Sequence, residues 1–317
     1  LDTANSISTA GTVKLEDTSG NITLNASGAH AGANDITAVE LATIRNTGAA
    51  VTIISSGNVT LADNGVYDIT GGTAADLTIT ATGDIALAGT GNNDGLKAKS
   101  ITLTASDDIT QNAQTNDVLE TTAGNLTLTG DSIGATNGLD VKVVTGALSI
   151  DADAATGNVT IQSTSDLTIA ALTANASDTT SITTTGDKDV TTNAAIDVAG
   201  SVSLTAGDDL VFGDDFQAGV ITLSAADVIT VANTKTITAD TGALSMTADA
   251  IYDVTGAGNA ALISVAGALT VDTSAAVGNA VLSSAADLTI AALTANAGDT
   301  TSITTTGDKD VTTNAAI

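Results

Sequence analysis

One turn position in this 317-residue chain keeps returning to aspartate or asparagine. It is filled by Asn58, Asp84, Asp108, Asp166, Asp189, Asp209, Asp287 and Asp310, each just ahead of a short apolar-x-apolar run. If successive repeats stack in register, these groups form a column. Bare carboxylates about 5 Å apart repel by roughly 1 kcal/mol or more per pair. Backbone N–H groups, splaying or bound cations must offset that. Carboxylate oxygens are hard donors suited to Ca2+, so weak Ca2+ sites are expected at Asp84, Asp108, Asp166, Asp189, Asp209, Asp287 and Asp310. The simpler reading is that Asp and Asn cap tight turns and tolerate left-handed backbone. No cofactor is required by either.

Other reactive groups are scarce. One His (His30), one Arg (Arg45) and no Cys leave no set of spare members for a His-based triad. The pairs Asp107-Asp108, Asp208-Asp209 and Asp214-Asp215 resemble the carboxylates of β-helical polysaccharide hydrolases and lyases. Neighbours on a strand point to opposite faces, however, which argues against a paired role. The expectation is therefore a protein that is not an enzyme. The turn also departs from the Gly-Gly-x-Gly-x-Asp nonapeptide of calcium-binding β-helix repeats, so strong multi-ligand metal sites are not expected. A Thr ladder runs through Thr78-x-Thr80, Thr102-x-Thr104, Thr127-x-Thr129, Thr183-x-Thr185, Ser203-x-Thr205 and Thr222-x-Ser224. Such an array resembles the surface of ice-binding solenoids. Thr simply favours exposed strand positions, and unequal coil lengths speak against the flatness that ice demands. Sequons stand at Asn21, Asn25, Asn58, Asn125, Asn158 and Asn175. Four of them belong to one Gly-Asn-apolar-Thr unit and need no glycan to explain them.

Composition bounds the class. Hydrophobic residues make up 43% of the chain but aromatics only 1%, so the core must be narrow and built of Val, Ile, Leu and Ala. Acidic disordered tails are apolar-poor, which excludes that class. The absence of Pro fits unbroken hydrogen-bonded ladders. A formal charge of −28 opposes binding to phosphate backbones or anionic membrane surfaces. No apolar run approaches the roughly 20 residues of a membrane-spanning helix.

The elements that position the turns are short alternating strands. Leu77-Thr78-Ile79 leads through Gly83-Asp84 to Ile85-Ala86-Leu87, and Val202-Ser203-Leu204 leads through Asp208-Asp209 to Leu210-Val211-Phe212. Alternation bounded by Gly, Asn and Asp marks half-buried strands. Strand starts recur every 19 to 26 residues. That spacing predicts an all-β fold, a right-handed parallel β-helix (β-solenoid) of about 13 to 14 coils. The segment 166–196 returns as 287–317, 121 residues on, with Ser177→Gly298 the sole change among 31 residues. Residues 1–317 therefore read as one continuous solenoid segment of a longer array. Its ordinary coil sequence at Leu1-Asp2-Thr3 and Asn314-Ala315-Ala316-Ile317 leads to an expectation of end-to-end or lateral self-assembly.

The units Gly-Asn-Val-Thr-Leu (57–61), Gly-Asn-Leu-Thr-Leu (124–128) and Ser-Val-Ser-Leu-Thr-Ala-Gly-Asp-Asp-Leu (201–210) resemble coils of filamentous-haemagglutinin-type and autotransporter-type β-helical adhesins. The resemblance implies an extracellular, surface-attached stalk or filament whose partners are its own copies, cell-surface glycans or other cells. The net charge and the lack of a long apolar run add an expectation of no nucleic-acid binding and no membrane insertion. The charge suits a second role, a cation-dependent self-assembling matrix or surface layer.

Overall fold

Alternation with period two becomes parallel strands whose inward residues stack coil on coil. The computed structural model describes residues 7–9, 14–17, 22–26, 35–38, 43–46, 50–61, 67–68, 75–87, 95–112, 118–154, 157–256 and 258–314. His30, the Asn21 sequon and the segments 1–3 and 315–317 lie outside them. The fold is all-β, without helix among the described residues, and parallel strands stack as a β-solenoid of about 11 turns of about 22 residues. The chain divides into two compact units, Leu1–Ser165 and Asp166–Ile317.

In the first unit one face is built by Ile22–Ala26, Val51–Ser55, Leu77–Ala81, Ile101–Ala105, Leu126–Thr129 and Leu148–Ala152, each paired with the next. A second is built by Ile36–Ala38, Val59–Leu61, Ile85–Leu87 and Ile109–Gln111. Leu96–Ala98, Leu119–Thr121 and Leu139–Val143 form a third. The expected register holds: Ile79, Leu103, Leu128 and Ile161 are fully buried, while Thr78, Thr102 and Thr160 stand outward and half-exposed. A slip of one residue would turn every Thr inward, and burial of the apolar row forbids it.

The second unit repeats the plan. Val202, Ile221, Leu244 and Leu269 stack in one inward row, with Leu204, Leu223, Met246 and Val271 in the next. Phe212 and Phe216 meet edge to face at 5.1 Å, both buried. Registers slip twice here, at Val198/Ser201 and at Leu269/Thr270.

The two near-identical segments fold alike. Leu167–Ala174 pairs with Val190–Thr192 as Leu288–Ala295 pairs with Val311–Thr313, residue for residue. The Asp178 Oδ2 accepts the Asn175 N–H at 3.1 Å, and Asp299 does the same for Asn296 at 3.2 Å. They differ in cover. Thr179–Thr184 and Val190–Thr192 carry strands Ile196–Ala206 and Leu210–Phe212 stacked on them. Val190 is accordingly 1% exposed and its counterpart Val311 43%.

Candidate functional site: the aspartate column

The turn before each second strand solves the repulsion problem with backbone donors. In the first unit the Asn58 N–H donates to Asp35 Oδ1 at 2.8 Å. The Asp84 N–H donates to Asn58 Oδ1 at 2.8 Å, and the Asp108 N–H to Asp84 Oδ1 at 3.1 Å. In the second unit Asp189 donates to Asp166 at 3.3 Å, Asp209 to Asp189 at 3.1 Å, and Asp310 to Asp287 at 3.0 Å. Each side-chain oxygen thus reaches up to the N–H of the same position one coil on. The main-chain carbonyls of these residues also bond back: Val59 donates to Asp84 O, Leu167 to Asp189 O and Val190 to Asp209 O. The arrangement is a ladder of Asx oxygens running beside the strands. Gly83 leaves room for the Asn58 Oδ1 that reaches Asp84, which a Cβ there would push aside.

The strand end beneath the turn contributes a second brace. Ser55 and Ser163, both buried, accept the N–H of the residue two further on, at 3.1 and 3.0 Å, and donate to a turn carbonyl. Thr184 and Thr305 donate to the carbonyls of Lys188 and Lys309, each at 2.8 Å. Short hydroxyls that bond local backbone are natural turn formers. The sequence reading missed these inward Ser and Thr residues, because apolar alternation does not distinguish a buried hydroxyl from a buried methyl.

Of the carboxylates named from sequence, the fold brings together Asp84 with Asp108, then Asp166 with Asp189 and Asp209, then Asp287 with Asp310. The tightest group includes two residues outside that set. Carboxylate oxygens of Asp208, Asp209 and Asp227 all lie within 4.8 Å of one another. This corrects the expectation that adjacent Asp208 and Asp209 point apart: both sit in the turn, beyond the strand Ile196–Ala206 and before Leu210–Phe212, where the alternation rule does not apply. The following turn is the same length, contrary to the shortening its sequence suggests, but carries valine at the ladder position. Val228 therefore takes the ladder bond from Asp209 Oδ1 at 3.0 Å, and Asp227 stacks over Asp208, its N–H donating to Asp208 O at 3.1 Å.

Electrostatics follow from that crowding. Burial, then the charges of Asp189, Asp227, Asp187 and Asp166, push the Asp208 carboxyl above its ordinary value. Burial also raises Asp209, with Asp208, Asp189 and Asp227 adding to it against the Val228 N–H bond. Asp108 rises through burial and the charge of Asp84. Lys188 lies 3.5 Å from Asp166 and is the nearest described counter-charge on this column. Elsewhere the sign reverses. Burial pushes Glu120 up, but hydrogen bonds from Lys97 and Lys142, at 3.0 and 3.1 Å, outweigh it and hold it below its ordinary range. Lys235 likewise lowers Asp214.

Three carboxylates converging this closely can supply hard oxygen ligands to a cation such as Ca2+. The described ladder itself is satisfied by backbone donors. Comparison with protein-family models, with curated proteins and with solved structures finds no match.

Proposed function

We propose that this chain is a structural and adhesive repeat segment of a secreted cell-surface filament or stalk. The observation that carries the reading is the continuity of bonding from coil to coil. Parallel strands and Asx oxygens link one turn to the next, and buried Ser or Thr braces hold each turn in shape. Such a build resists extension along the stacking direction, as a stalk must, and the turns leave outward positions free to vary. The adhesin-like coil motifs at 57–61, 124–128 and 201–210 support the same role. Antibody labelling of intact cells, with attachment assays on a deletion strain, tests it. Label at the surface and lost attachment are expected. Signal confined to the cell interior would overturn the proposal.

A second reading, a cation-dependent self-assembling matrix component, is favoured by the Asp208–Asp209–Asp227 group. Light scattering of the purified protein during Ca2+ titration separates the two. Assembly that needs Ca2+ and reverses with chelator supports the matrix. Indifference to the ion leaves the filament.

A further inference from the structure

Unequal coil lengths argue from sequence against a regular Thr surface, yet in the first unit the Thr rows stay in register. Leu77, Ile101, Leu126 and Leu148 stack in one row although the intervening coils differ in length. The differences are absorbed in the turns. On this face Thr52, Thr78, Thr102 and Thr127 align as one outward row, and Thr80, Thr104 and Thr129 as the adjacent one. No register shift interrupts these pairings, unlike the second unit.

Strand spacing and strand rise then set a grid of about 4.8 Å by about 6.6 Å. Each point carries a hydroxyl that can donate and accept, beside a methyl. Thr is stiff at χ1, and each of these side chains is half-buried between its neighbours. The inward Ile53, Ile79, Leu103 and Leu128 beneath them are fixed in the core. The array is therefore preorganised. It is also uncharged over these strands, in a chain of net charge −28. Asp76 and Asp151 stand only at its borders, and Asp76 is engaged by the Ser100 hydroxyl at 2.6 Å.

We propose that this Thr face binds ice. Hydroxyls at near-lattice intervals anchor ordered water, and the methyls between them hold that water in place. Charged side chains, which would impose their own hydration shells, stand at its borders, Asp76 ahead of Leu77 and Asp151 on the strand Leu148–Ala152. A crystalline polysaccharide would present a comparable repeat, but sugar rings are gripped by aromatic platforms, and these strand positions carry none. The inference is independent of the filament proposal.

The test uses the purified full chain in ice-affinity partition and thermal hysteresis measurements. A Thr102→Lys/Thr104→Lys variant should lose its enrichment in the ice fraction and its freezing hysteresis, with an unchanged melting temperature. The Thr222→Lys/Thr247→Lys variant in the second unit, where the matching rows mix Ser with Thr, should retain both. Wild-type protein excluded from ice would overturn the proposal, as would equal partition of the first variant. Retention on powdered chitin or cellulose without ice enrichment would overturn it too and assign the face to polysaccharide.

Discussion

Thr121, Thr180 and Thr192 point inward with hydroxyls that find no hydrogen-bond partner, at exposures of 0%, 0% and 1%. A buried hydroxyl without a partner forfeits its bonds to water and gains nothing in return. Thr301, the counterpart of Thr180 in the second near-identical segment, has the same orphaned oxygen. Replacing Thr180 or Thr192 by Val keeps the shape and removes the penalty. Each of these substitutions should raise stability by about 1 kcal/mol, seen as a higher urea midpoint at unchanged slope. A lower midpoint would mean that the hydroxyls are satisfied in solution. The ladder gives the converse experiment at Asp84. Asp84→Asn keeps the oxygen that accepts the Asp108 N–H and should be near neutral, whereas Asp84→Ala should cost about 1 kcal/mol. Equal loss in both would show that charge, rather than the acceptor, matters there.

At the scale of the strand-turn-strand element, the acidic turn group sets a pH dependence opposite to the common one. Asp208 and Asp209 have folded-state values raised above the ordinary 3.8. The folded protein therefore binds protons more readily than the unfolded chain, and stability rises as pH falls through the raised values toward 3.8. The second unit should melt at higher temperature as buffer moves from neutrality toward that range. An Asp208→Asn/Asp227→Asn variant should melt higher than wild type at pH 7 and lose that advantage on acidification. A pH-independent difference would rule out crowding as the cause. This element also shows where sequence is legible. The strands were readable because period two leaves the apolar set one face to bury: Leu103 and Thr102 could be assigned without coordinates. The ladder column was readable too, since Asp and Asn recur at one turn position. The Asp208–Asp227 contact was not, because it depends on the register that sets Val228, rather than Asp227, opposite Asp209 and leaves Asp227 level with Asp208. The inward hydroxyls of Ser55 and Ser163 were hidden for a different reason: composition does not say which Ser faces in.

For the molecule as a whole, 36 acidic against eight basic residues make self-repulsion the dominant long-range force. The Debye length contracts from about 30 Å at 0.01 M to about 3 Å at 1 M salt. Melting temperature should therefore climb with NaCl and level off once neighbouring turns are screened. A fall with salt would mean that the ion pairs of Lys97, Lys142 and Lys188 outweigh the repulsion. The ladder carries one more consequence. It asks of its side chain only a lone pair on Oδ1, which an amide and a carboxylate offer alike, as Asn58 between Asp35 and Asp84 demonstrates. Every Asx rung can accordingly exchange neutral for negative through a single-base mutation, while the backbone stays put. Electrical character and architecture are thus inherited separately, and descendants of one scaffold can settle into brines or fresh water by respelling the turns alone.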